Sequence, residues 1–326
     1  MSRYLVSRLV EIVVTLALMS FVVYLLIGLM PGDPIDLMVS GDPRMTSADA
    51  ARLRALYGVD KPLVERYAAW AGQALQGNFG YSRSYSQPVI EVLGPRLVNT
   101  LELAGLAFLL SIAIALPLGV WTAAHPRSRA DYVVNLLSFA GISTPPFWLA
   151  LLLITLFAVK LAVLPAGGMA EVRPQTPWPE ALGQHLRFAI LPIGTLLLLQ
   201  LGSYTRFMRG AMIETLRQDY VRTARAKGAS QARVLWRHAF GNALTPVLTI
   251  LGLSFGGLFS GALITETMFA WPGMGRMVYQ AILDNDYNLA LVGLLITTLA
   301  TIVGNLLADL ALVAVDPRVT LASRLG

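Results

Sequence analysis

The sequence predicts an all-α polytopic membrane protein, with six transmembrane helices and a small helical external module after the first. Three observations carry this. Hydrophobic residues make up 56% of the 326 residues and charged residues only 13%, against roughly 25% charged in ordinary soluble domains. Mean hydropathy is +0.62. The apolar residues also gather into six long runs, at 9–30, 103–124, 133–159, 186–204, 243–264 and 287–315, and about 20 such residues span a bilayer core.

The first run carries one charge, Glu11, and stops at Pro31-Gly32-Asp33-Pro34. Arg3 and Arg8 precede it, as basic residues precede a secretory signal. Its apolar stretch exceeds the roughly 7–15 residues of a signal, and no small-x-small cleavage site follows, so an uncleaved span is expected. Residues 32–95 are a different material, with mixed charge and many Gly and Pro. Ser47 opens a helix expected to run through Tyr57 and stop at Gly58, with Asp49 in its first turn. Asp60 and Pro62 open a second helix whose Leu63, Tyr67, Trp70, Ala71 and Ala74 form an apolar stripe, closed by Gly77. A packed cap over the membrane face is the expectation for this module.

Several later spans carry breakers: Pro117 in the second, Pro145-Pro146 in the third and Pro192 in the fourth. Neighbouring helices and Ser or Thr side chains can satisfy the backbone groups that proline frees, and Thr144 is placed to do so. Orientation follows from charge. The connection after span two carries His125, Arg127 and Arg129. The one after span four carries Arg206, Arg209, Arg217, Arg222, Arg225, Lys227, Arg233 and Arg237 against Glu214 and Asp219. The alternate loops are far less basic: Lys160, Arg173 and Arg187 with Glu171 and Glu180, then Arg276 with Asp284 and Asp286. The positive-inside rule therefore puts both termini and residues 205–242 in the cytoplasm.

The net charge of +6 does not point to nucleic acid, because the basic residues cluster beside apolar spans without interleaved exposed aromatics. No cysteine is present, which excludes disulfides and thiolate metal sites. No window reads GxxxxGK[ST], so any ATP that drives this protein binds to another subunit. His125, His185 and His238 never fall in an HExxH spacing, and no metal site is expected. The sequence does not exclude a serine nucleophile paired with a histidine and an acid. Glu266, near the outer end of span five, and Asp309, towards the inner end of span six, are expected to be interfacial, reaching water or an arginine. Gly252, Gly256, Gly257 and Gly261 supply overlapping GxxxG spacings, for packing within the chain or against a partner beside a pathway.

The polar, basic stretch 219–246 lies between two spans and reads as two short amphipathic helices. In the first, Tyr220, Val221 and Ala224 share a face, Arg222 and Arg225 another, and Gly228 is the stop. In the second, Ser230 is the N-cap, and Arg233 and Arg237 lie four apart. A compact element in that position has either a partner or a lipid surface to anchor on.

RTARAKG at 222–228, followed by a basic helix and NALTP at 242–246, resembles the EAA loop of type I ABC importer permeases, in the version of the dipeptide/oligopeptide/nickel/glutathione branch. LMPGDP at 29–34, GNFGYS at 77–82, RLVNTLELA at 96–104, ISTPPFWLALLL at 142–153, ETMFAWPGMGRMV at 266–278 and LADLALVAVDPRV at 307–319 agree with that branch. Arg222 stands where the generic loop has Glu, and Thr223 replaces its first Ala. The resemblance implies the type I permease fold in a bacterial inner membrane. It divides the chain into a first span (1–31), a periplasmic module (32–95), an ABC transporter type I transmembrane domain (96–316) with the coupling loop near 219–246, and a cytoplasmic tail (317–326).

It further implies that Asp219, Tyr220, Arg222, Thr223, Ala224, Arg225, Lys227 and Gly228 dock on a cytoplasmic ATPase. Glu266, Trp271, Pro272 and Gly273 are candidates for an outer gate or the face that meets a binding protein. The implied partners are a homologous second permease, two ATPase subunits that hold ATP and Mg, and an external solute-binding protein. The chain itself would be no enzyme and hold no cofactor or metal. The implied cargo is peptide, with glutathione, nickel complexes or another small solute as alternatives. An ion-coupled secondary transporter and an intramembrane enzyme are the rival readings.

Overall fold

The computed structural model describes residues 2–29, 61–170 and 176–315, and every regular element among them is a helix. The helix expected over Ser47–Tyr57 and the tail 317–326 lie outside the described residues. The chain divides into two compact units, 1–97 with 277–299 and 98–276 with 300–326.

In the first unit, α1 (Ser2–Gly28) is apolar on all sides beyond Glu11, with many of its apolar side chains exposed, as suits a membrane span. α2 (Leu63–Ala74) lays its expected stripe on α1. The Tyr67 ring meets Phe21 and Tyr24 edge-on, at 5.2 and 5.6 Å between centroids, and its hydroxyl lies 2.8 Å from Ser20 Oγ. The loop 77–88 is held by the start of α11 (Tyr287–Val315) and the residues before it. Buried Asp286 accepts from Ser82 Oγ at 2.5 Å and from the Ser84 N–H at 2.9 Å. Asn288 donates to the Tyr81 carbonyl. Sequence reasoning treats Asp286 as one charge in a loop; the structure makes it the fastener of that loop.

α3 (Val89–Ala124) starts 14 residues before the second apolar run, so residues 89–95 are its first turns. In the second unit, α4 (Arg129–Ser143) and α5 (Pro146–Lys160) replace the single kinked span expected at 133–159. They meet at a 108° bend. Pro145 forces the preceding Thr144 into extended backbone (φ −82°, ψ 124°), which ends α4, and Pro146 opens α5 at its first position. Thr144 Oγ1 donates to the Ala140 carbonyl at 2.6 Å, the help anticipated for it. Five helices among the described residues are long and apolar enough to cross a membrane, and the bent pair supplies a sixth crossing if its halves act together.

α6 (Trp178–Leu216) continues well past Tyr204, the end of its apolar run, with Pro192 inside it. Arg206 and Arg209 therefore stand on this helix and not in a loop. α7 (Asp219–Ala226) is next, then α8, built from Gln231–Arg233, wide i→i+5 turns at Val234–Ala239, and Phe240–Gly261 with Pro246 inside. α9 (Leu263–Met268) and α10 (Met274–Leu283) precede α11. The main core joins α3, α6 and α8 through Phe108, Tyr204, Met208, Met212, Val247 and Leu251. A second joins Leu103, Ala107, Ala189, Ile193 and Trp271.

α4 and α6 are clamped together. The Arg209 Nε donates to Asp131 Oδ1 at 2.6 Å and its second amine to Oδ2 at 2.7 Å, while the Arg127 N–H and Asn135 side chain serve the same carboxylate. Further along α4, the Arg206 guanidinium lies 4.3 Å from the centre of the Phe139 ring.

Candidate functional site

α7 begins at Gln218, whose extended backbone sets the entry, with Asp219 in its first turn and Arg225 in its last, both favoured by the helix dipole. At its end the Gly228 N–H reaches the Arg225 carbonyl and the Ala229 N–H reaches the Ala224 carbonyl at 3.1 Å. Gly228 adopts φ +79°, a left-handed backbone that other residues take only with strain. Ser230 then accepts from the Arg233 N–H at 3.4 Å and opens α8. The stop at Gly228 and the cap at Ser230 anticipated from the sequence frame the segment as read.

Two details differ. The second amphipathic helix is no separate element, because the wide turns at 234–239 carry it without a break into α8. Tyr220 does not share the inner face: Val221 is fully buried and Ala224 half-buried, but Tyr220 is 43% exposed. Adjacent residues on a helix point about 100° apart, so burying Val221 turns Tyr220 outward. Trp236, which sequence reasoning passes over, is also exposed. The surface thus offers two aromatics among Arg222, Arg225, Lys227 and Arg237, all exposed. Arg222 touches Asp219 at 3.4 Å with both side chains in solvent, a pairing worth little.

The 263–276 stretch is built the opposite way. Contrary to expectation, Glu266 does not reach water but is fully buried. It accepts from Thr100 Oγ1 at 2.5 Å, from the Arg276 N–H at 2.9 Å and from the Gly275 N–H. Thr100 in turn accepts from the Met274 N–H at 2.8 Å. A carboxylate supplied with three donors needs neither water nor an arginine side chain, which is why it can sit inside. Trp271 is fully buried, and its indole N–H donates to the Asn99 carbonyl at 3.1 Å. Asn99 donates to the Pro272 carbonyl at 2.9 Å. At Gly273 a side chain would run into the Glu266 carboxylate. The four residues named for an outer gate or binding-protein face are therefore knotted together through Asn99 and Thr100 of α3. His185 pairs with Glu102 beside the Trp271 ring.

Of the glycine spacings, Gly252 faces Ala308 of α11, where a Cβ would lie 2.8 Å from the alanine Cβ. A Cβ added at Gly257 would meet no atom within 4 Å, and Gly257 lines a cavity of about 220 Å³ shared with Gln200, Tyr204 and Ser254. Gly256 and Gly261 lie on α8, outside the residues whose surroundings are described. Residues 252–256 read Gly-Leu-Ser-Phe-Gly, the spacing of a nucleophile elbow, but that elbow is a strand-to-helix turn and here the five residues are continuous helix. Ser254 bonds to Tyr204 and not to a histidine. Asp309 is partly buried on α11. Among the described residues no three His, Asp or Glu side chains gather as metal ligands would.

Residues 115–321 match the family described as binding-protein-dependent transport system inner membrane component, and residues 1–104 match the description "binding-prot-dependent transport system membrane comp, N-term". The chain is 35% identical over 323 residues to the oligopeptide transport system permease protein AppB of Bacillus subtilis, covering 98% of this chain and 99% of that one. It is 37% identical over 336 residues to the di/tripeptide transport system permease protein DppB of Pseudomonas aeruginosa, with the same coverage of each.

Proposed function

Because this chain belongs to the family of binding-protein-dependent transport system inner membrane components, we propose that it forms half of the pathway through which an ATP-driven importer moves di- or oligopeptides. It is a multi-pass permease subunit of the ABC importer class. The observation that carries the cargo is the end-to-end likeness to permeases named for oligopeptides and for di- and tripeptides.

On this reading the working assembly adds a homologous second permease, two cytoplasmic ATPase subunits that hold ATP and Mg, and an external solute-binding protein. The absence of a P-loop in the sequence supports placing ATP elsewhere. α7 and the start of α8 support the docking role: α7 is short and stopped by Gly228, and together they present cations and two aromatics, Tyr220 and Trp236, to solvent. Aromatic and arginine side chains are the usual anchors of an interface, and the arginines can pair with carboxylates on the partner. A rigid helix seated in a closing groove moves as one body. Two joints carry its displacement onward: Arg217-Gln218 leads back into α6, and Gly228-Ala229 leads on into α8. The basic connections support a cytoplasmic position for 205–242 and both termini. The module 32–95 is then external and positioned to receive the binding protein, ahead of the transmembrane domain 96–316 and the tail 317–326.

The test is uptake by the whole assembly in proteoliposomes. Peptide uptake that requires ATP, the ATPases and the binding protein is the expected result. Uptake by this subunit alone, driven by a proton or sodium gradient, would sink the reading, as would turnover of a substrate by the purified chain.

A further inference from the structure

Three uncharged hydrogen-bonding side chains converge on one cavity between long apolar helices. Gln200 and Tyr204 reach it from α6 and Ser254 from α8, while Leu196 and Leu258 wall it with hydrocarbon. Polar groups between apolar helices need partners or a purpose. Here they hold one another: the Tyr204 hydroxyl donates to Gln200 Oε1 at 3.4 Å and bonds to Ser254. The Phe108 ring meets Tyr204 edge-on at 6.1 Å and fixes the direction of its hydroxyl. Gly257 lines the cavity as well, and a Cβ added there would meet no atom within 4 Å, so a larger side chain could occupy the space.

We propose that this cavity is a contact site for the main chain of the peptide in transit. The proposal rests on the peptide-importer reading above. An amide side chain and two hydroxyls each donate and accept, so together they match the alternating C=O and N–H groups of any peptide. Among the described residues no charged side chain lines the cavity, so peptides are not sorted by charge there and none is trapped by a charge-assisted bond, which is about twice as strong as a neutral one. At about 220 Å³ the cavity is smaller than the roughly 300 Å³ of the least dedicated ligand pocket. It holds a short piece of chain, in passing. The internal Gln200–Tyr204–Ser254 bonds are exchanged for bonds to the peptide and re-form behind it, leaving none of the three groups unpaired at either stage.

The experiment compares uptake of trialanine with that of tripeptides whose central residue is Lys, Glu or Phe, using the full importer in proteoliposomes at equal amounts of assembled complex. The variants are Gln200→Met, Tyr204→Phe and Gly257→Leu. Uptake of every peptide is expected to fall by a similar factor, roughly threefold to tenfold for the first two, and more for Gly257→Leu. Trialanine N-methylated at its central amide, corrected for its affinity for the binding protein, is expected to lose uptake in wild type and to lose none further in Gln200→Met. Unchanged uptake in all three variants overturns the proposal, and so do losses that track peptide charge or size. Failure of Tyr204→Phe to assemble assigns these residues to packing and overturns it too. If wild type takes up no peptide at all, the parent reading fails and this one falls with it.

Discussion

α7 and the 263–276 stretch are both short helical inserts beside long spans, yet they spend their polar groups in opposite ways. Around Glu266 every polar partner comes from inside the chain: Thr100, two backbone N–H groups, and Asn99 bridging to Pro272. Around α7 the cations Arg222, Arg225 and Lys227 face solvent, and one buried side chain, Val221, holds the helix down. A segment that satisfies itself is part of the frame. One that leaves charge and aromatic surface outside is ready to be completed by something else. Burial and pairing, more than the presence of charge, separate the two roles.

The contrast breaks most visibly at Gly228. Gly228→Leu is expected to reduce ATP-driven uptake to background, through a strained left-handed backbone of about 1–2 kcal/mol and a bulky group at the docking surface, while membrane insertion and binding-protein affinity stay intact. Normal uptake would put α7 back among simple surface anchors. Next comes Glu266→Leu, which strands the Thr100 hydroxyl and two backbone N–H groups at roughly 1–3 kcal/mol each. Its expected readout is a collapse in the yield and thermal stability of the folded permease, with Glu266→Gln milder because one acceptor survives. Equal stability of both variants would show that the knot is not part of the frame.

Arg209→Leu strips a partner from an Asp131 that is only 4% exposed, a loss on the order of 3 kcal/mol, read as earlier melting in detergent. Melting at the wild-type temperature would show that the α4–α6 clamp contributes nothing. The smallest effect is expected at Asp219→Asn, whose exposed contact with Arg222 is worth well under 1 kcal/mol. Stability should not move, and a measurable drop would mean that α7 is held more tightly than its exposure indicates.

Much of this fold is legible in the sequence, and for local reasons. Gly228, Ser230, Pro145 and Pro146 act within a few residues of themselves, so the stop, the cap and the break can be read from neighbours alone. Long apolar runs announce spans, but they do not mark where a helix ends: α6 runs 12 residues past its apolar stretch because an amphipathic continuation packs on α4 through Arg209. Contacts made far along the chain are not legible. Glu266 reads as interfacial because its partner Thr100 lies 166 residues away, and nothing near Asp131 marks it out because Arg209 lies 78 away. Counting apolar residues assigns Tyr220 inward, whereas the structure buries Val221 and turns its neighbour out.

The wide turns at Val234–Ala239 store surplus chain just ahead of the Phe240–Gly261 part of α8. A turn of this kind holds more residues than the 3.6 of an ordinary helix, so it sets the phase between the helical segments on its two sides. Deleting one residue there, such as Leu235, lets the turn relax to ordinary pitch and leaves the segments on its two sides nearly in phase, because the residue lost is the one the turn holds in excess. The wide turns are therefore a length buffer with room for one residue. A deletion made after that surplus is gone would swing the upstream segment by about 100° around the helix axis and re-aim the docking face without altering a single side chain on it.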